Sequence, residues 1–373
     1  MSVRNERGKT LKTPFSWSRL LRWTSALGAV AYLVLLILLW FGFYFVGERW
    51  WLTAAGLYVP RIVFAVPLPV LTALLWISGM RRLLWTQLAA ALVLLVPLMG
   101  FVLPFSAGTK DHQPSLRILS FNVNSAYAGF IAVADQILAQ SPDVVLLQES
   151  PSNDELVAVL HVNYPHVHKS TQFIIASRFP ITETTDPDRL DFGGRQRSPR
   201  FMRYVVDSPL GKLAIYSVHP ISPRGALNIR EYRAAFHQLR TGEIFNGQED
   251  SEMEDNAGLR AMQIAAVAQY ARKEALPVII AGDTNLPGLS RVYRDNLARY
   301  TDGFRAGSWG FGYTFPARFP LLRLDRILAG DGLRFAAFRI GCKGASDHLC
   351  VVADIQSVAP AGLEKSPSGI IPR

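Results

Sequence analysis

Charge is missing from three long stretches of this 373-residue chain. Thr24 to Val46, Ile62 to Met80 and Leu83 to Ser106 carry no Asp, Glu, Lys or Arg over 23, 19 and 24 residues. Uncharged apolar runs of about 17–25 residues are long enough to cross a bilayer as helices, and three of them rarely occur in a soluble bundle. Pro67, Pro69 and Pro97 inside the runs would break soluble helices but are tolerated in membranes. Trp40, Trp50, Trp51, Trp76 and Trp85 lie near run ends, as interfacial aromatics do. The first run is too long, and too soon followed by others, for a cleaved signal peptide.

Acid is scarce in the same region. Residues 1–106 hold ten Lys or Arg against Glu6 and Glu48, while the remaining 29 basic residues face 27 acidic ones. An excess of two over a domain of that size is no polyanion-binding footprint. Arg4, Arg7, Lys9, Lys12, Arg19 and Arg22 precede the first run, and Arg81 and Arg82 separate the second from the third. Between the first and second stand only Arg49 and Arg61. The positive-inside bias therefore puts the N-terminus and the Arg81-Arg82 turn in the cytoplasm, and three crossings leave the rest of the chain outside. Cysteine is nearly absent. Cys342 and Cys350 allow one disulfide in an oxidising compartment, or two buried thiols. No internal repeat is visible.

Beyond a polar linker, Ala107 to Ser115, apolar runs alternate with helical spacing. Strands are expected at Leu116–Val123, Val144–Leu147, Phe173–Ala176, Tyr204–Asp207, Lys212–Val218 and before Gly282-Asp283, with helices at Phe130–Gln140 and Asn256–Leu276. That alternation implies an α/β fold. Thr241 to Asp255 is acidic and reads as a solvated loop, Gly307 to Pro316 as an irregular loop, and Ala359 to Arg373 as a disordered tail.

Five strands end in polar fragments: Ser120-Phe121-Asn122-Val123-Asn124, Leu147-Gln148-Glu149, Ser217-Val218-His219-Pro220, Gly282-Asp283-Thr284-Asn285 and Ser346-Asp347-His348. Each delivers a polar group to the rim of a sheet, which suggests one shared site. Carboxylate and amide oxygens suit a hard cation such as Mg²⁺, and the imidazoles add proton-transfer groups.

In this order, with Arg323-Leu324-Asp325-Arg326-Ile327 before the last, the fragments resemble the endonuclease/exonuclease/phosphatase superfamily from Leu116 to Ile355. That group includes pancreatic-type deoxyribonucleases, abasic-site endonucleases, neutral sphingomyelinases and inositol-polyphosphate phosphatases. The resemblance implies two packed mixed β-sheets flanked by helices, a four-layer sandwich, here preceded by a three-helix transmembrane region. It also implies a Mg²⁺-dependent phosphoester hydrolase, with Mn²⁺ as an alternative ion. The expected divisions are a membrane region over 1–106, a catalytic domain over 107–358 and the tail over 359–373.

Residue by residue, the resemblance makes Glu149 a metal ligand; by itself it would be an exposed strand-end acid. Asn122 matches an Asn that helps hold metal or phosphate, and otherwise suits a turn. Asp283 would act on the attacking water and Asn285 on the phosphoryl group, both facing one way if the strand alternation continues. The alternative is an Asx turn closing the strand. Thr284 stands where relatives often carry a bulky apolar residue. Asp325 would orient the imidazole of His348, and Asp347 matches a second metal ligand. These last two neighbours need a loop conformation to converge. His219 resembles a histidine near the leaving group, but its expected Glu partner is missing: the neighbouring segment Phe201–Val206 carries Arg203. Arg195, Arg197, Arg200 and Arg203 are either a solvated face or, for Arg200 and Arg203 above all, an anion-binding substrate rim. His161, His166, His168 and His237 match no motif.

Three functions fit. One is a membrane-anchored hydrolase of a lipid or other small phosphodiester, with the bilayer and the phosphoester as its partners. The second is an extracytoplasmic nuclease, which demands a basic groove and steep salt dependence. The third is an inactive membrane interaction module, disfavoured because the whole set of site residues persists.

Overall fold

The computed structural model describes residues 16–103, 114–150, 154–223 and 252–358. The linker, most of the acidic loop, the tail, His237 and the first four basic residues therefore lie outside the described residues. The chain divides into two compact units.

The first unit holds Met1–Phe41 and Arg61–Met99. Its helices are α1 (Trp17–Phe41), α3 (Pro67–Ile77) and α4 (Leu84–Val93), with α2 (Trp51–Gly56) belonging to the other unit. Two helical stretches, Trp17–Arg49 and Arg81–Leu98, are long and apolar enough to cross a membrane. Their most apolar windows are only 22% and 28% buried. Arg61–Ile77 is apolar but shorter, so the expected three spans reduce to two by length.

The second unit holds Gly42–Pro60 and everything from Gly100 onward. Gly42–Pro60, between the first and second apolar helices, thus groups with the residues beyond the last. The strands are β1 (Leu116–Asn122), β2 (Val144–Gln148), β3 (His166–Ser170), β4 (Phe173–Ser177) and β5 (Ile181–Thr185). A small hairpin, β6 (Leu190–Phe192) and β7 (Arg195–Arg197), precedes β8 (Phe201–Ser208) and β9 (Gly211–Val218). Then come β10 (Val278–Asp283), β11 (Thr301–Asp302), β12 (Asp325–Ala329), β13 (Leu333–Gly341) and β14 (Cys350–Ser357). Two six-stranded mixed sheets result, ordered β13-β14-β1-β2-β4-β3 and β11-β12-β10-β9-β8-β5.

Each sheet has one central parallel pair, β1 with β2 and β9 with β10, and antiparallel strands elsewhere. A parallel pair buried on both faces reads as a continuous apolar run, which is why Val144–Leu147 and Val278–Ala281 were visible in the sequence. Ile118, Leu146, Ile215, Ile279 and Ile327 fill the core between the sheets. The outer faces are covered by α5 (Phe130–Leu138) and α6 (Asp154–Asn163) on the first sheet, and by α7 (Glu252–Arg272) and α8 (Arg291–Leu297) on the second. A last short helix, α9, spans Gly303–Gly307. The four layers follow from two sheets that each bury both faces. Both parallel pairs deliver their C-terminal ends to the same edge: Asn122 and Glu149 from one, His219 and Asp283 from the other.

Candidate active site

The strand ends meet over a buried polar layer. Gln148 Nε2 donates to Ser217 Oγ at 3.2 Å, joining the two sheets directly beneath the site. Gly282 lets β10 approach β9 so closely that a Cβ there would collide with the carbonyl of Val218, and its φ of 151° suits only glycine. Non-glycine residues with left-handed φ gather at this edge: Asn124 (45°), Ser125 (57°), Glu149 (54°), Arg200 (55°) and Asn285 (48°). Such conformations cost of order 1–3 kcal/mol each and persist where the surroundings hold them.

Asp283 is the hub. Its Oδ2 accepts from Asn122 Nδ2 at 3.0 Å and lies 3.8 Å from His219 Nε2 and 3.7 Å from His348 Nε2. Asn122 also donates to Glu149 Oε1 at 3.0 Å, while its own Oδ1 accepts the Asn124 N–H. The amide thus bridges two carboxylates through its nitrogen; its oxygen, the atom expected to hold metal, already accepts a backbone bond.

Glu149 Oε1 faces His219 Nε2 at 3.2 Å. The opposite ring atom, Nδ1, lies 2.6 Å from Gln172 Oε1, an atom that can only accept, so Nδ1 carries the proton. Without a proton on Nε2, that atom and the Glu149 carboxylate would face each other with lone pairs. Two lone pairs at that distance need positive charge between or beside them, from a proton on Nε2 or from a bound cation. Burial alone would raise the Glu149 carboxyl, but the His219 contact and the Asn122 amide outweigh it and hold it down at about 2. Glu149 is therefore an anion ready for a cation. Glu149, His219 and Asp283 bring their ligand atoms within 4.8 Å of one another, and so do Asp283, Asp325 and His348. Carboxylates with one imidazole fit a hard divalent ion.

His348 Nδ1 lies 2.9 Å from Asp325 Oδ2, within hydrogen-bond reach. Burial opposes a charged imidazole, but Asp325 and Asp283 prevail and raise His348 to about 9. The Phe315 ring covers the imidazole, with ring centroids 4.8 Å apart. Ser346 Oγ donates to the Asn122 carbonyl at 2.8 Å and docks the loop on β1. Cys342 and Cys350 form a disulfide that closes this loop. Asp347 is half-buried and belongs to neither cluster, although its charge helps raise His348.

Two expectations need correction. β10 ends at Asp283, and Asn285 adopts a left-handed conformation, so strand alternation does not reach it. The Asn285 N–H donates to Asp283 Oδ1 at 2.9 Å, which is an Asx turn, and its side-chain amide donates to the Pro220 carbonyl. Asn285 therefore ties the Asp283 and His219 strand ends together. Arg203 is not at the site: it pairs with Glu274 at 2.7 Å and Glu183 at 2.9 Å on β8. Arg200 does reach it, donating to Gln172 Oε1 at 3.2 Å and lining a cavity of about 620 Å³ with Glu149, Ser125 and His219. Arg195 and Arg197 are exposed on the small hairpin.

Gln172 itself was missed. The expected partner of His219 lies on the neighbouring strand, whereas Gln172 comes from the β3–β4 turn of the other sheet.

The sequence profile described as Endonuclease/Exonuclease/phosphatase family matches residues 119–348. Among curated proteins nothing matches the chain. Of solved structures, an endonuclease/exonuclease/phosphatase from Beutenbergia cavernae is 18% identical, with a TM-score of 0.46, covering 65% of this chain and 72% of that one. A Staphylococcus aureus beta toxin is 17% identical (TM-score 0.46; 64% and 99% covered). A humanized D. rerio TDP2 is 20% identical (TM-score 0.46; 65% and 99% covered).

Proposed function

Because this chain belongs to the Endonuclease/Exonuclease/phosphatase family, we propose that it is a membrane-anchored, Mg²⁺-dependent phosphodiester hydrolase, able to use Mn²⁺ and acting outside the cytoplasm on a lipid or other small phosphodiester. The observation that carries this reading is the set of atoms around Asp283 Oδ2, with two imidazoles within 3.8 Å and the Asn122 bridge to Glu149.

Glu149 and Asp283 would hold the cation, with His219 Nε2 beside it. When bound, the ion neutralises phosphoryl oxygens and polarises the ester. The chain's own groups do the rest. Asp325 fixes the His348 ring with Nδ1 as donor, so that Nε2–H points at Asp283 and the phosphoryl position. A charged His348 stabilises the negative charge that develops there. Asp283 can accept a proton from an attacking water. Arg200 lines the cavity that would receive the diester, and its guanidinium suits an anionic oxygen. Asp347, half-buried beside His348, is a further candidate ligand.

Topology supports the extracytoplasmic side. The segment Gly42–Pro60 packs in the same unit as the catalytic domain. The chain leaves that unit at Pro60 and returns at Gly100, so an even number of crossings separates those points. Arg61–Ile77 therefore spans if Arg81–Leu98 does, and 17 residues are at the lower limit for a span. With Arg81 and Arg82 between them, the positive-inside bias puts that turn in the cytoplasm. A disulfide at Cys342–Cys350 agrees with an oxidising compartment.

The test is a substrate panel with full-length protein in detergent: sphingomyelin, glycerophospholipids, inositol phosphates and plasmid DNA, each with Mg²⁺ or Mn²⁺. Turnover of a lipid or small diester is expected. Salt-sensitive DNA cleavage would replace the substrate assignment by a nuclease, and no turnover of any substrate with either ion would overturn the reading. A reporter active only outside the cytoplasm, fused after Phe105, should be active, and its silence would reverse the topology.

A further inference from the structure

The segment between the first and second apolar helices touches the site from below. The Tyr58 hydroxyl donates to the Asn285 carbonyl at 2.7 Å. That carbonyl belongs to the left-handed residue whose N–H holds Asp283 Oδ1. Arg260, almost wholly buried on α7, donates to the Tyr58 hydroxyl at 2.8 Å and to the Ile221 carbonyl at 2.9 Å, two residues beyond His219. One hydroxyl thus joins the Asp283–Asn285 turn to the strand end that carries His219.

Ten residues earlier the same segment grips α8. Ser290 Oγ, the Arg291 N–H (2.9 Å) and the Val292 N–H (3.4 Å) all donate to the Glu48 carboxylate. The two N–H groups are orphan donors at the start of a helix whose own cap, Ser290 Oγ, accepts from the Tyr293 N–H. Here the carboxylate arrives from far upstream. Arg291 and Arg294 answer by donating to the Phe45 and Tyr44 carbonyls. Gly47, with φ of 59°, lies so close to Arg291 that a Cβ would press on its side chain at 2.8 Å. Turn and helix, residues 285–294, are therefore held from outside at both ends.

We infer that Gly42–Pro60 is a strap that sets the position of the Asp283–Asn285 turn, with Tyr58 and Glu48 as positioning residues. This rests on the hydrolase reading for its kinetic consequence, but not for its structural one. An αL residue costs free energy to hold, and among the described residues its carbonyl accepts from Tyr58. Releasing it lets the turn relax and swings Asp283 relative to the two imidazoles. Displacements of about 1 Å at a reacting centre cost on the order of 10²-fold in rate. Arg200, which lines the substrate cavity, and Glu149 lie on other elements, whereas Asp283, the other proposed cation ligand, moves, so at saturating Mg²⁺ the loss falls on kcat rather than on KM for the ester.

The experiment uses full-length protein in detergent and two conservative variants, Tyr58→Phe and Glu48→Gln. Hydrogen exchange is read across residues 285–294, with β1 and β2 as internal reference, and hydrolysis of bis(p-nitrophenyl) phosphate is read with Mg²⁺. Faster exchange confined to 285–294, with kcat down about tenfold in Tyr58→Phe and KM within about twofold, is the expected result. Unchanged exchange in both variants overturns the strap whatever the enzyme's substrate. Faster exchange with unchanged kcat overturns its catalytic role. A wild-type protein that hydrolyses nothing, yet shows the exchange effect, refutes the hydrolase reading and leaves the strap standing.

Discussion

The two imidazoles that face Asp283 differ in what stands behind them. His348 is backed by a carboxylate, Asp325, at 2.9 Å, and His219 by a neutral amide, Gln172, at 2.6 Å. The His348 half is closed, with both side chains 4% exposed or less. The His219 half opens through Glu149, whose side chain is 29% exposed. A buried imidazole with its own carboxylate is complete when the chain folds, and its charge is set by that pairing. An imidazole backed by an amide and facing a carboxylate leaves open whether a proton or a cation supplies the positive charge between them. In the proposed reaction the first half would stabilise charge, and the second would receive the cation and the anionic ester.

The largest effect should come from emptying the open half. Glu149→Ala is expected to lower metal-dependent hydrolysis by on the order of 10³-fold or more, since a bound ion supplies several kcal/mol of charge stabilisation. Circular dichroism and membrane insertion should be unchanged. Near-wild-type turnover would remove Glu149 from the site.

Next comes the closed half. Asp325→Asn should cost nearly as much as His348→Ala, about 10²–10⁴-fold, and the double variant little more, because groups acting as a unit are non-additive. Metal affinity should stay within a few-fold in each. Multiplicative losses in the double variant would show that the two act separately.

Gln172 sharpens the contrast. Gln172→Ala should lower kcat about 10–100-fold by freeing the His219 ring. Gln172→Glu, which still accepts from Nδ1 and makes the open half resemble the closed one, should recover most of that loss. Equal losses in both variants would mean that the amide does more than orient the ring.

The smallest effect concerns neither half. Glu274 is held below the usual carboxylate range: burial pushes it up, but the hydrogen bond and charge of Arg203 prevail. Such a group stabilises the fold above its unfolded pKa and loses that stability as pH falls through its folded value. Wild type should therefore lose more stability than Glu274→Gln on acidification below pH 4, read as a larger fall in Tm. Activity near neutral pH should hardly change in Glu274→Gln, as expected if the Arg203 pair stands apart from both halves. Parallel Tm curves would contradict the assignment.

The legible parts of this molecule were those in which local pattern and tertiary role coincide. Parallel strands buried on both faces leave apolar runs, and a polar residue after such a run has few destinations, so Glu149, Asp283, His219 and Asn122 could be placed at one rim directly, and given roles only through the family resemblance. Asp325 and His348 could be paired only through the family resemblance, since 23 residues separate them. Asn285 misled because one left-handed residue ends the strand period, and periodicity carries no sign of it. Arg203 looked like part of a cationic cluster because its partner Glu274 is remote in sequence. Gln172, Glu48 and Tyr58 were invisible for a related reason: each acts on a segment that only the fold brings near. A Gln in a turn and a Tyr between two apolar helices carry no local mark of what they touch.

Cation binding at the open half is the claim on which the rest depends, and Mn²⁺ binding followed by electron paramagnetic resonance measures it without any substrate. Metal-stripped full-length protein should bind Mn²⁺ saturably, Mg²⁺ should displace it, and Glu149→Ala should weaken binding at least tenfold while Asp325→Asn leaves it within a few-fold. Equal affinity in wild type and Glu149→Ala, or no saturable binding in wild type, would contradict the account.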